Sequence, residues 1–153
     1  MGRKHGTDDQ PSQETLTRNW DELLQEIRVT QTGVQILTGF LLTVPFSNRF
    51  NELTTFQRDL YLAVLAGSVL TTGLVVAPVA MHRVLFRQRR RELLVESGNR
   101  FAMAGLALLA LTISGVVLLV VDVVVGGVAG WLAGGAILLV LIVLWAVVPR
   151  VAD

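Results

Sequence analysis

Asp122 is a candidate functional residue, because it is an acidic side chain inside a long apolar stretch. A carboxyl group in a membrane segment can couple transport to protons or cations, since protonation and cation binding compete there. Asp122 lies four residues before Gly126, which is only ~6 Å of helix from the predicted turn. We therefore favour a pairing at the membrane surface, with water, Arg49, Arg58 or Tyr61, over a coupling site.

A second set of polar side chains falls at one predicted end of the first two spans and consists of Glu26, Arg28, Gln31, Gln35 and His82. Arg28, Gln31 (or Thr32) and Gln35 recur at helical spacing, and two consecutive antiparallel spans bring His82 to the level of Arg28. Such a cluster could bind an anion or pass a proton. We favour a simpler interpretation, in which the amides hydrogen-bond between helices while Arg28 and His82 lie among lipid headgroups.

A basic run and a glycine series complete the candidates. The run contains Arg87, Arg89, Arg90 and Arg91. At a membrane exit it could bind anionic headgroups, at ~1 kcal/mol for each basic residue, or it could only determine topology. Nucleic-acid binding is not expected, since neither aromatic residues nor a suitable fold accompany the run.

Gly126, Gly130 and Gly134 are spaced by four residues. Small residues at this spacing let two membrane helices approach closely. We expect Gly130 and Gly134 to pack within the chain, on the third span near 114–115. A contact between copies of the chain is the less favoured use.

These residues lie on or beside four apolar segments, at about 30–46, 59–81, 101–125 and 128–148. Hydrophobic residues make up 52% of the chain and charged residues 16%. Since ~20 mostly apolar residues cross the hydrocarbon of a bilayer, the sequence predicts a multi-pass integral membrane protein. The predicted fold class is all-α, a four-helix membrane bundle formed by residues 16–153.

The first span is the most polar and must include several Gln and Thr residues to cross the bilayer. Because unpaired polar groups in hydrocarbon are costly, we expect this span to be the most buried against its neighbours. Spans three and four, joined at Gly126–Gly127, are expected to form a lipid-facing hairpin. Pro45 should end the first span, Pro78 should kink the second, and Pro149 should close the fourth.

The chain before the first span is mostly polar. Residues 1–15 are expected to be a disordered cytosolic tail. An amphipathic cytosolic helix should follow from near Asn19, which can cap it, with an apolar face formed by Leu16, Trp20, Leu23, Leu24 and Ile27. This helix could lie on the membrane surface or could simply prolong the first span.

The Lys and Arg residues predict the orientation. Of the 13 in the chain, Arg49 and Arg58 fall on one side of the predicted bundle and eleven fall on the other. Positively charged loops stay in the cytoplasm, so both termini are expected there, in a bacterial plasma membrane. The chain has no cysteine, which excludes disulfides and thiol chemistry, and we expect no cofactor and no metal.

Two segments carry a resemblance to a known family. They are ELLQEIRVTQTGVQILTGFLLTVPF at Glu22–Phe46 and APVAMHRVLFR at Ala77–Arg87. Both resemble a family of small four-span bacterial membrane proteins of unknown function, some members of which carry an automatic sodium/proton antiporter label. The resemblance implies a four-span fold and does not assign any site residue.

Two functions remain open from the sequence. One is a non-enzymatic membrane protein that is structural or accessory to a partner, with lipids and another membrane protein or a second copy as its contacts. The other is a small ion or proton transporter or channel, in which Gln35, His82 or Asp122 would face a water-filled cavity. An enzyme is not expected, because the spans contain no paired acid and base and no nucleophile set.

Overall fold

The computed structural model describes residues 13–85 and 91–151, with side chains at 25, 28–80 and 100–151. The described part of the chain is helical apart from short connections. Its elements are α1 (Gln13–Thr43), two 3₁₀ turns (Val44–Phe46 and Asn48–Glu52), α2 (Thr55–Leu85), α3 (Arg91–Val124), α4 (Val128–Ile142), a π-helical turn (Val143–Val147) and α5 (Val148–Val151). The disordered tail predicted at the start lies mostly outside the described residues.

Four segments are long and apolar enough to cross a membrane, as predicted. They are Arg28–Phe46, Thr55–Ala80, Arg100–Val124 and Val128–Val151, called spans one to four below. The all-α fold with four spans is therefore confirmed, and the chain is a multi-pass membrane protein by the length and composition of its helices. We call the end of the bundle that carries the 47–54 connection and the Gly126–Gly127 turn the loop end.

Helix α1 begins at Gln13, earlier than predicted, so Asn19 lies inside the helix and does not cap it. The segment that precedes Asn19, QETLTR, contains good helix formers and neither Gly nor Pro, so the helix can begin before Asn19. The helix continues without a break to Thr43, so the amphipathic segment prolongs span one. It ends just before Pro45, which lies in the first 3₁₀ turn, as its sequence predicted.

Helices α2 and α3 form the centre of the bundle through small residues at their contact. A Cβ built on Gly67 would lie 2.6 Å from Thr112 Oγ1, and one built on Gly115 would lie 2.6 Å from Val64 Cγ1. Further along, Gly105 faces Val75 at 3.1 Å by the same measure. The two backbones therefore approach as closely as glycine permits, which is a common way for membrane helices to gain packing energy without a hydrophobic driving force.

The polar side chains buried in this contact are satisfied by their own helices. Ser68 and Thr71 are fully buried, and their hydroxyls donate to the carbonyls of Leu65 and Gly67 at 2.8 Å each. Thr112 and Ser114 on α3 bond in the same way to carbonyls four residues earlier. These hydroxyls contribute to packing, and among the described residues no buried side-chain polar atom lacks a hydrogen-bond partner.

Span one is much less buried than expected. The share of buried residues is 11% in span one, 28% in span two, 39% in span three and 6% in span four. The prediction that span one is the most buried is wrong, because only a narrow face with Val34 and Leu41 packs against the rest. Spans three and four pack against each other as the predicted hairpin, but α3 is also covered by α2, so span three is the most buried of the four and span four the least.

Two prolines lie inside helical segments. Helix α2 continues past Pro78 to Leu85, and helical geometry continues past Pro149 to Val151. Just before Pro149 the helix widens into a π turn, in which the Val148 amide donates to the Val143 carbonyl. Such a turn changes the hydrogen-bond pattern where proline supplies no donor, so the fourth helix does not end at Pro149.

Candidate functional site

Asp122 takes part in a hydrogen bond that joins two helices at the loop end. Its Oδ2 accepts from Gln57 Nε2 at 2.9 Å, across 65 residues of sequence. The carboxylate is half-buried and lies two residues before the end of α3. The pairing predicted with Arg49, Arg58 or Tyr61 is wrong, because Gln57 at the start of α2 faces α3 and holds the carboxylate. The Arg58 guanidinium lies over the Phe50 ring instead, 5.8 Å from its centroid.

The Gln57 side chain also accepts a hydrogen bond through its amide oxygen. Its Oε1 accepts from the Thr54 backbone N–H at 3.0 Å, while its own N–H donates to Thr54 Oγ1 at 3.2 Å. This reciprocal arrangement is a capping box, which satisfies donors left free at the first turn of a helix. The amide of Gln57 is thus held by its oxygen and presents its NH₂ group to Asp122.

Helix α4 packs closely against α3 at Asp122. A Cβ built on Gly130 would lie 2.8 Å from Asp122 Cβ and 3.0 Å from the Leu118 carbonyl oxygen. One turn further, Gly134 faces Leu118 Cβ at 2.8 Å and the Ser114 carbonyl oxygen at 3.0 Å. The structure therefore places Gly130 and Gly134 against α3, and the preceding turn is made by Gly126 and Gly127, with φ of 78° and 66°.

Tyr61 joins span one to this end of the bundle. Its hydroxyl donates to the Leu41 carbonyl at 2.9 Å, and the side chain is fully buried. That carbonyl would normally accept the N–H of residue 45, four positions later, but residue 45 is proline and has no N–H. Tyr61 therefore supplies the donor that Pro45 removes, and Phe50 packs edge-on against its ring at 5.4 Å.

We call Thr54, Gln57, Tyr61, Asp122 and Gly130 the loop-end cluster. It joins α1, α2, α3 and α4 by hydrogen bonds and one close backbone approach. It contains one carboxylate and no cation or histidine, so it lacks the second group that proton relay or anion binding would use. No set of three His, Asp or Glu side chains within the described residues could hold a metal ion.

Several polar residues of span one lie on an exposed face. Arg28, Thr32, Gln35 and Gly39 are spaced by four, three and four residues and are all exposed, so they form one face of α1. We call them the outward stripe. Gln31 beside them is half-buried. The Thr32 hydroxyl donates to the Arg28 carbonyl at 2.9 Å, but among the described residues the Gln35 amide has no hydrogen-bond partner.

The predicted cluster of Glu26, Arg28, Gln31, Gln35 and His82 is not assembled by the part of the chain described here. Arg28 and Gln35 are exposed on α1 and lie outside the Val34–Leu41 face that packs on the bundle. The side chains of Glu26 and His82 lie outside the described residues. The same is true of the side chains of the basic run, Arg87, Arg89, Arg90 and Arg91, although the backbone of Arg91 begins α3.

Gln57 and Thr54 are not among the candidates identified from the sequence, because both fall before the predicted start of span two at about residue 59. The segment Thr54-Thr-Phe-Gln57 carries the capping-box spacing, a hydroxyl residue followed three positions later by Gln. That signal could have placed the helix start at Thr55. The role of Gln57 toward Asp122 has no local signal, since it depends on how α2 and α3 are rotated against each other.

One family of known sequences matches the chain over most of its length. The model of a family described as "Family of unknown function (DUF6328)" matches residues 9–149. No curated protein and no solved structure matches the chain. Since the match covers 141 of the 153 residues, including the whole loop-end cluster, the chain belongs to this family of unknown function.

Proposed function

We propose that this protein is a non-enzymatic component of a bacterial plasma membrane that is structural or accessory to a partner. The observation that carries the proposal is the divergence of its intramembrane polar groups. Asp122 is held by Gln57 at the loop end, whereas Gln35 faces outward on the opposite half of span one. A transporter needs such groups to converge on a shared pathway, so their separation favours the accessory role over ion transport.

The exposure of span one supports the same role. A membrane helix with an unpaired amide is costly in hydrocarbon, where no water satisfies the group. Helices that carry such groups usually pair them across a helix–helix contact. Span one is the least apolar of the four and yet has little burial in the chain, which is the pattern of a helix that docks on another membrane helix.

Orientation and lipid contacts belong to the proposal as well. The excess of Lys and Arg at the end opposite the loop end favours cytoplasmic termini. The basic run from Arg87 to Arg91 would then lie at the inner leaflet, where anionic headgroups can bind it. A cysteine introduced at Asn48 should react with an impermeant maleimide from outside, and one at Ser97 only after permeabilisation; the reverse pattern contradicts this orientation.

Ion flux in proteoliposomes tests the choice between the two roles. Under a pH gradient or a sodium gradient, we expect the wild-type protein to give no flux above that of empty liposomes. Gradient-driven flux that Asp122→Asn or His82→Ala abolishes, and that the exposed carboxylate variant Glu52→Gln leaves intact, would overturn the proposal. It would also identify the coupling residue of a transporter.

A further inference from the structure

Gln35 is the one residue of the outward stripe whose polar group needs a partner from outside the chain. It lies seven residues after Arg28, the first residue of span one, and thus ~10 Å along the helix. This depth is well inside a hydrocarbon layer of ~30 Å, so water does not reach the amide at low cost. Thr32, by contrast, is already satisfied by the Arg28 carbonyl.

We infer that the partner is a second copy of this chain, bound through the outward stripe of span one in a parallel, two-fold symmetric contact. The inference rests on the proposed function and names its partner. A glutamine amide both donates and accepts hydrogen bonds, so two identical amides satisfy each other. Copies with the same membrane orientation place Gln35 opposite Gln35 at one depth, as an isologous contact requires.

The surroundings of Gln35 fit a helix at close range. Gly39 lies one turn away on the same face, and a Cβ built there would meet nothing within 4 Å. Since this glycine is not needed for packing within the chain, its missing side chain leaves room for a neighbouring backbone. Gln35 supplies the hydrogen bonds of the contact and Gly39 lets the two helices approach.

Charge does not oppose a contact between copies. The sequence from Val29 to Asn48 contains no charged residue, so two parallel copies bring no like charges together inside the membrane. Arg28 lies at the exposed end of the stripe, where water and salt screen the repulsion between two guanidinium groups. Self-association is therefore compatible with the electrostatics of the face.

Single cysteines can test the contact cleanly because the natural chain has none. Two differently tagged copies of the full chain would be co-expressed, each carrying Thr32→Cys or each carrying Gly39→Cys, and oxidised in native membranes. Phe40→Cys, exposed on another side of α1, and Leu139→Cys, exposed on span four, are matched controls. We expect disulfide-linked dimers that contain both tags at 32 and 39, and several-fold less product at 40 and 139.

The hydrogen bond is tested by adding Gln35→Leu to the Thr32→Cys chain, which keeps Gly39. Hydrogen bonds between membrane helices contribute a modest free energy to association. We therefore expect Gln35→Leu to weaken the association by roughly threefold to tenfold, as measured by dilution into excess lipid. Because Gln35 is exposed, this variant should fold like the parent, which its thermal unfolding checks. Unchanged association would overturn the assignment of Gln35.

A photo-crosslinker placed at Thr32 separates the remaining outcomes. An adduct with a different polypeptide and no dimer would overturn the second copy while leaving an accessory role in place. Dimers formed equally at 32, 39, 40 and 139 would mean random collision and would also overturn the inference. No adduct of either kind would contradict both the second copy and the partner-binding role.

Discussion

Asp122 and Gln35 are both polar residues in membrane spans, but they differ in burial and in hydrogen bonding. The Asp122 carboxylate is half-buried and held by Gln57, which is itself fixed by the Thr54 capping box. The Gln35 amide is exposed and has no partner among the described residues. The polar group of Asp122 is thus satisfied within the chain, whereas that of Gln35 is not.

The difference separates the parts of the molecule that hold the fold from the face that we propose binds a second copy. Spans two and three are joined by glycine contacts and by the hydrogen bond between Gln57 and Asp122, and span four packs on span three at Gly130 and Gly134. Span one is attached mainly near the loop end, by Leu41 and Tyr61. A polar residue that contributes to folding and one that contributes to assembly should therefore respond differently to substitution.

The largest effect is expected at the contact of α3 and α4. Gly134→Leu should lower the free energy of unfolding by about 1–3 kcal/mol, because its side chain would overlap Leu118 and the Ser114 carbonyl. Its neighbour Gly135 has open space around it, so Gly135→Leu is a matched control with little expected effect. Thermal unfolding in detergent measures both, and equal losses of stability would contradict the close packing on α3.

The next effect concerns the hydrogen bond between Gln57 and Asp122. Asp122→Ala and Gln57→Ala should each destabilise the protein, Gln57→Ala by more because it also opens the capping box. A double-mutant cycle should give a coupling of about 0.5–2 kcal/mol, the range of interhelical hydrogen bonds in membranes. Additive losses would show that the two side chains act independently and would break the contrast with Gln35.

A smaller effect is expected for the Tyr61 hydroxyl. Tyr61→Phe should cost about 1 kcal/mol, since it leaves the Leu41 carbonyl without a donor in a buried position. In a Pro45→Ala background the residue 45 amide can return to that carbonyl, so the same substitution should cost less. If the loss is the same in both backgrounds, the hydroxyl does not replace the donor that Pro45 removes.

The smallest effect on folding is expected at Gln35. Gln35→Leu should change the free energy of unfolding of the monomer by less than about 0.5 kcal/mol, as is usual for exposed positions. Thr71→Leu, at a buried polar site in the α2–α3 contact, provides the contrast and should destabilise clearly. A large loss for Gln35→Leu in a monomeric state would mean that this residue serves the fold after all.

Much of the architecture was predictable because it follows from local properties of the chain. Long apolar stretches predict the four spans wherever they occur. The Gly126–Gly127 turn needs positive φ at both residues, which glycine adopts without strain, and Pro45 ends a helix because it lacks an N–H. None of these properties depends on which helix lies next to which.

The tertiary structure alone decided which side of each helix is used. The sequence determined that span one is polar, but its rotation about its own axis directs Val34 and Leu41 inward and Gln35 outward. The same kind of rotation of α2 and α3 brings Gln57 to Asp122, 65 residues away, in place of the arginines expected from their charge. Helix rotation is set by packing between small residues such as Gly67 and Gly115, and that packing leaves no periodic signal strong enough to read from one chain.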